Sequence, residues 1–176
     1  MITELHTERL HLRKMKESDS PSLFTIWSDP DITKFMNVSS FTDVEQAKEM
    51  IHLLDDLSRD RKAIRFSIIK KESNEIIGSC GYNSLDFDNL KAEIGYDMAK
   101  SSWGRGYASE AVSTLVDHAF SSLKLNRVEA KVDPENVNSI RLLQKLCFTF
   151  EGTFREYEGV EGKFNDLHMY SKLISD

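Results

Sequence analysis

The chain has 176 residues, a formal net charge of −6, 40% hydrophobic and 30% charged residues, three prolines, eight glycines and two cysteines. That length suits one domain, residues 1–176, with a substantial core, and no stretch reads as a linker, a repeat or a low-complexity segment. Two cysteines are too few for a disulfide framework, the acidic balance disfavours nonspecific nucleic-acid binding, and the lack of a long apolar run or a basic-then-apolar leader predicts a cytoplasmic protein with no membrane partner.

Arg9 to Met15 alternates apolar with basic residues and reads as a first strand. Ser18 or Asp19 can cap the helix that follows, with Pro21 in its first turn, Leu23, Phe24, Ile26 and Trp27 as apolar positions, and a stop near Asp29-Pro30. Residues 31–41 read as irregular, anchored by Phe35, Met36 and Phe41. Thr42 with Glu45 three residues on has the pattern of a capping box and opens a second helix, whose expected buried stripe is Met50, Ile51, Leu53, Leu54 and Leu57. Ala63 to Lys70 and Glu75 to Tyr82 predict two strands joined by a polar hairpin turn. Cys80 and Cys147 lie among apolar neighbours and read as core thiols; they show no metal spacing, and no metal is expected.

Lys91 to Met98 is a strand by its alternation, and Trp103-Gly104-Arg105-Gly106-Tyr107-Ala108 leads from it into a helix with Ala111, Val112, Leu115, Val116, Ala119 and Phe120 on one face. Arg127 to Val132 is a strand that returns beside Lys91 to Met98 through this helical crossover, so that pair is predicted to be parallel. Ser139 to Leu146 is a short helix with Ile140, Leu142, Leu143 and Leu146 inward. Phe148 to Glu156 and Asp166 to Leu173 form a final antiparallel hairpin around Gly159 and Gly162. The expected class is α/β (α+β): one mixed, mostly antiparallel sheet with a single parallel strand pair.

The strand, glycine loop and helix make an anion-binding unit. Two glycines let the backbone approach a ligand closely, the first amides of the helix lack intrahelical partners, and the helix dipole adds partial positive charge. The same glycines could instead serve only a tight strand-to-helix turn. Neither a P-loop nor a dinucleotide fingerprint is present.

Ala92-Glu93-Ile94-Gly95-Tyr96 followed by Trp103 to Ala111 resembles the acetyl-CoA signature of the GNAT superfamily of N-acetyltransferases, with Gly106 and Ala108 at the last two fixed places of its Q/R-x-x-G-x-G/A loop. Trp103 stands where Gln or Arg is usual, a substitution common in the branch of ribosomal-protein N-terminal acetyltransferases. Thr7-Glu8-Arg9-Leu10, Leu12-Arg13, Ser28-Asp29-Pro30 and Asn136-x-x-Ser139 extend the resemblance over nearly the whole chain. It implies helices on both sheet faces, a splayed parallel strand pair that admits the pantetheine of acetyl-CoA between Tyr96 to Ala99 and Val132 with Asn136, and a pyrophosphate on the amides of Arg105 to Ser109. Met98, Ala99, Arg105, Gly106, Tyr107, Ala108, Ser109 and Asn136 are thus the expected cofactor residues. The first two helices and their connection are expected to wall the acceptor site.

Acyl transfer to an amine needs a neutral nucleophile, a place for the oxyanion and a proton for the departing thiolate. Glu93, on the strand leading to the acetyl site, is the candidate base; the alternative is an outward charge on an alternating strand. The tyrosine that many members use as acid is replaced by Leu143, so Ser139 is the candidate donor by position, against a helix-cap or helix-surface serine. Asn136 carries a similar alternative, a turn or cap. Asp166 and His168 lie on the last strand, and Tyr82, His52 and Tyr157 could face the acceptor; none takes an assigned role. The expected reaction is direct attack of a primary amine on acetyl-CoA, the amine belonging to a protein amino terminus such as that of a ribosomal protein. The alternatives are a polyamine, amino sugar, amino acid or aminoglycoside acceptor, or a non-catalytic acyl-CoA-binding module. A homodimer is compatible with this reading.

Overall fold

The computed structural model describes residues 4–176. Eight strands, β1 (Glu4–His6), β2 (Leu10–Lys14), β3 (Ile64–Lys70), β4 (Ile76–Asp86), β5 (Lys91–Met98), β6 (Arg127–Val132), β7 (Thr149–Val160) and β8 (Lys163–Leu173), form one sheet in the order β1-β2-β3-β4-β5-β6-β8-β7. Every neighbouring pair is antiparallel except β5 and β6, which are parallel. The helices are α1 (Ser20–Trp27), α2 (Pro30–Thr33), α3 (Val44–Arg59), α4 (Tyr107–Ser121) and α5 (Val137–Lys145). The predicted crossover is therefore α4, and it makes the junction parallel as a strand-helix-strand connection must.

Side-chain alternation divides the sheet between two cores. Leu12, Phe66, Ile68, Cys80, Ile94 and Met98 are buried in the cluster that holds Ala111, Val112, Leu115 and Val116 of α4. Their strand neighbours Ser67, Ser79 and Asp97 are buried polar residues pointing the other way, as period-two alternation requires. Over that side lies a second cluster from α1, α2 and α3, with Leu23, Ile26, Trp27, Ile32, Ala47 and Ile51. Fully burying an aliphatic side chain of this kind is worth about 1.5–3 kcal/mol, so these clusters are the main favourable term in the fold.

Several local expectations shift. The capping box of α3 is built by Asp43 and Gln46 rather than Thr42 and Glu45: the Asp43 carboxylate accepts from Glu45 N at 2.8 Å, and Gln46 Oε1 accepts from Asp43 N at 3.1 Å. Leu53 points to solvent, 53% exposed, because α3 buries only the narrow face that carries Ala47 and Ile51. Asp29 caps a short helix, α2, inside the stretch expected to be irregular. Strand β4 runs on to Asp86, and the last hairpin turns at Glu161 and Gly162, both with positive φ, leaving Gly159 within β7. Cys80 is a core thiol pushed up to about 12 by burial, but Cys147 is exposed, held at φ 64 where the chain leaves α5.

Asp19, expected as a helix cap, is instead a buried anchor. It receives two bonds of 2.7 Å from the Arg13 guanidinium, one of 2.9 Å from Lys16 N and one of 2.8 Å from Ser67 Oγ. Burial works to raise its carboxyl, and these donors outweigh burial and hold it below the ordinary range. A depressed folded-state pKa contributes stability above the unfolded value and loses it as pH falls through the folded value. Removing one partner of such a pair leaves a buried charge unpaired, so Asp19→Ala should cost about 3–5 kcal/mol in urea unfolding. The wild-type advantage over the variant should shrink as the pH is lowered below about 4; an advantage independent of pH would show that the bonds do not set the carboxyl's pKa.

Candidate active site

Strands β5 and β6 pair only at Lys91 with Arg127, Ala92 with Val128, and Glu93 with Glu129. Beyond those three pairs β5 stays bonded to β4 as far as Met98, and β6 stays bonded to β8 as far as Val132. The inner edges part, and a cavity of about 1060 Å³ opens at the gap. Glu93, Tyr96, Asn136 and Ser139 line it together. Its other wall is the α1 to α3 connection, from Thr33 to Thr42, with Trp27, Met50 and Leu54. The tip of the last hairpin closes the far side, where Ser39 Oγ donates to Glu161 Oε1 at 2.6 Å.

The cavity floor is charged. Lys131 Nζ lies 2.9 Å from Glu93 Oε1, and Asn83 Nδ2 donates to Glu93 Oε2 at 3.2 Å, so this glutamate faces the cavity instead of projecting outward. Burial opposes the charge on Lys131, and the bond to Glu93, that carboxylate's charge and the Tyr157 hydroxyl together outweigh it, keeping the ammonium protonated. Glu158 lines the same floor; burial, then the negative charge of Glu93, push its carboxyl up. A bulge between Phe154 and Glu158, closed by Glu156 N donating to Asp166 Oδ1 at 2.7 Å, brings Glu158 there. Deeper, Arg65 holds Asp97 at 2.8 Å, while Asp97 Oδ1 and Trp27 Nε1 have no partner among the described residues.

Across the gap, the Tyr96 hydroxyl and Ser139 Oγ are 2.7 Å apart. This bond joins β5 to α5 where the strands no longer meet. Burial pushes the Tyr96 phenol up, and the Ser139 bond only partly offsets it, so the phenol stays protonated. Asn136 is the N-cap of α5, its Oδ1 accepting from Ser139 N at 3.3 Å; it thus both caps the helix and lines the cavity.

The glycine loop lies outside this lining. Gly104 and Gly106 sit at φ 73 and 80, the left-handed region that favours glycine. Gly106 is the N-cap residue and has no side chain to cap with, and the first helical bond runs from Glu110 N to Gly106 O, so the amides of Tyr107, Ala108 and Ser109 have no partner within α4. The β1 to β2 turn braces the loop: Arg9 donates from N and Nε to Glu110 at 2.9 and 2.8 Å and from Nη1 to Arg105 O at 2.9 Å, and Thr7 Oγ1 also bonds Glu110. The Arg105 side chain is exposed, Tyr107 is buried beneath Arg9, and Met98 is buried with its carbonyl accepting from Trp103 Nε1 at 2.8 Å. Ala99 N is committed to Ile77 O at 2.7 Å.

Residues 9–149 match the acetyltransferase (GNAT) domain family. The chain belongs to the GNAT family of acetyltransferases. As a member it is an acetyl-CoA-dependent N-acetyltransferase. It is 54% identical over 169 residues to an uncharacterised N-acetyltransferase, p20, of Bacillus licheniformis, covering 96% of this chain and 95% of that one. It is 30% identical over 109 residues to the ribosomal-protein-serine acetyltransferase of Escherichia coli strain K12, covering 62% and 60% of the two chains. Among solved structures it superposes on RimL, a ribosomal L7/L12 alpha-N-protein acetyltransferase in complex with coenzyme A, with a TM-score of 0.85 at 24% identity and 96% coverage of both chains, which establishes likeness of fold.

The residues of this GNAT chain fit coenzyme A: the free amides at the left-handed Gly106 offer a pyrophosphate cradle, and the unpaired edges of β5 and β6 offer backbone partners to an extended chain. Sequence reasoning missed Glu158, Lys131 and the role of Tyr96 as partner to Ser139. The alternation of Arg127 to Val132 was the one signal for Lys131, which shares a face with Glu129. Because Arg9 neutralises Glu110 beside the cradle, Arg9→Ala should weaken coenzyme A binding by about tenfold in calorimetry. The melting temperature without ligand should barely move, since exposed ion pairs add little stability; unchanged affinity would show that the brace does not shape the cradle.

Proposed function

We propose that this N-acetyltransferase modifies the α-amine of a protein amino terminus, with the ribosomal proteins acted on by its relatives as the nearest class. The observation that carries the reading is the convergence, on one large cavity at the strand gap, of a carboxylate pair and a hydroxyl pair. A cavity of this size has room for several residues of an extended peptide, and acidic groups at Glu93, Asp133, Glu158 and Glu161 favour a cationic amine. An α-amine with an ordinary pKa near 8 is already partly neutral at physiological pH, so a carboxylate suffices to take its remaining proton.

Acetyl-CoA, when bound, supplies the acyl carbon and the thiolate leaving group. Glu93 and Glu158 share the role of proton acceptor unequally. Glu93 is pinned by Lys131 and Asn83, so both of its carboxylate oxygens are already engaged. Glu158, raised by burial and by the charge of Glu93, is the better acceptor. On the other side, a protonated Tyr96 donates to Ser139 Oγ and leaves the Ser139 proton free for the departing sulfur, which replaces the missing phenol at Leu143.

The reading is tested by following thiol release with acetyl-CoA and either short peptides with free amino termini or polyamines, amino sugars and aminoglycosides. Turnover preferring peptides by at least tenfold in kcat/KM supports it; preference for a small amine moves the acceptor to that class, and saturable acetyl-CoA binding without turnover on any amine overturns the reading. Glu158→Gln should reduce kcat/KM by 10²-fold or more, on the order expected for loss of a general base. Glu93→Gln should shift the acidic limb of the pH profile to lower pH, because removing its negative charge lowers the Glu158 carboxyl. A shift to higher pH would contradict the assignment. Tyr96→Phe should lower kcat about tenfold with KM unchanged and add nothing to Ser139→Ala, since the two hydroxyls act as one unit.

A further inference from the structure

Outside the acetyltransferase site, the β1–β2 hairpin brings together three metal-ligating side chains that lie apart in sequence. The register pairs His6 with His11 and Glu4 with Arg13, while Leu5 pairs with Leu12, so alternation sends the leucines to the core side and puts Glu4, His6 and His11 together on the other face. The two imidazoles stack with centroids 4.3 Å apart and planes 5° from parallel. One carboxylate oxygen serves both: Glu4 Oε2 lies 2.9 Å from His11 Nε2 and 3.9 Å from His6 Nε2. A ligand atom from each residue can be chosen so that all three lie within 4.8 Å of one another.

We infer that Glu4, His6 and His11 form a binding site for a divalent transition metal of the zinc class. Ligand atoms about 2.1 Å from a tetrahedral Zn²⁺ are about 3.4 Å from each other. The two separations, 2.9 and 3.9 Å, straddle that value. A shift of under an ångström brings Glu4 Oε2 into range of both rings; the imidazoles, whose nitrogens bind a metal in the ring plane, must also turn out of their parallel stack, and the side chains of Glu4 and His6, each 55% exposed, are free to move. Two imidazoles with one carboxylate suit Zn²⁺, Co²⁺, Ni²⁺ or Cu²⁺ and are a poor match for Mg²⁺ or Ca²⁺. Among the described residues the nearby cations are engaged elsewhere: Arg13 is bidentate on Asp19, and Lys14 pairs with Asp55 at 2.7 Å. Glu4 and His6 come from β1 and His11 from β2, so the metal clips the three-residue edge strand to its neighbour and leaves the remaining coordination positions to solvent.

The test uses the full chain, stripped of metal with a chelator and freed of any purification tag, in a Cys147→Ser background so that the exposed thiol adds no ligand. Calorimetry with Zn²⁺ alone should show one ion per chain with micromolar affinity, and Co²⁺ should give a visible ligand-field spectrum. His6→Ala and His11→Ala should each abolish both signals, Glu4→Gln should weaken Zn²⁺ binding about tenfold, and His52→Ala, at an exposed histidine on another element, should change nothing. Circular dichroism of the variants checks that each is folded, and the exposure of these side chains predicts that all are. No uptake at 0.1 mM Zn²⁺, or uptake that survives both histidine variants, would overturn the assignment.

Discussion

The structure turns on the early end of pairing between β5 and β6. Three residue pairs hold the parallel junction, and then each strand remains bonded only on its outer side. Backbone amides and carbonyls left in the interior of a sheet cost free energy unless something satisfies them, so a gap of this kind is a standing demand for an extended, hydrogen-bonding ligand. The gap persists because both flanks are filled: Val112 of α4 and Leu143 of α5 stand at its margins, and Tyr96 spans it to reach Ser139. Closing the strands would have to expel that packing. Binding site and fold therefore share one cause, and the chemistry gathers where the sheet fails to close.

Electrostatics divide the cavity into parts with different roles. The Arg65 to Asp97 pair lies deep, with the Asp97 side chain only 1% exposed, and orients the floor through Ser79 and Asn83. Above it the ammonium of Lys131 holds Glu93 and works against the upward push on Glu158. The two carboxylates are not equivalent: Glu93 takes the direct bond to the cation, while Glu158, buried and repelled by Glu93, holds its proton more readily. The hydroxyl pair on the opposite side carries no charge, because burial keeps the Tyr96 phenol protonated while it bonds Ser139.

The architecture was legible because its signals are local. Period-two alternation marked the strands, three-and-four spacing marked α4, and the crossover rule made β5 and β6 parallel before any contact was known. Glu93, Asn136 and Ser139 were readable by position along those elements, and all three line the cavity. What escaped depends on distances between elements. Glu158 reaches the floor only because β7 carries extra residues opposite β8, and a bulge leaves no periodic trace. Leu53 and Cys147 read as buried from their apolar neighbours, yet α3 covers its neighbours with a narrow stripe and Cys147 lies on a left-handed exit turn. The Tyr96 to Ser139 bond links residues 43 apart, and neither residue type announces the other.

The two sides of the cavity are built to different standards of rigidity, and that bears on how such an enzyme holds its donor and its acceptor. The donor side rests on the larger core: α4 lies on the sheet through Ala111, Val112, Leu115 and Ala119, each 1% exposed or less, and the Thr7 to Arg9 turn fixes the start of that helix from a hundred residues away. The acceptor side hangs from the smaller cluster of α1 to α3, and its connection meets the last hairpin through the exposed bond of Ser39 to Glu161. An exposed hydrogen bond exchanges readily with water and contributes little, so this wall can adjust to the group it admits without disturbing the cradle. The wall carried by the larger core can thus stay fixed while the segment from Thr33 to Thr42 and the tip around Glu161 adjust on the other side of the cavity.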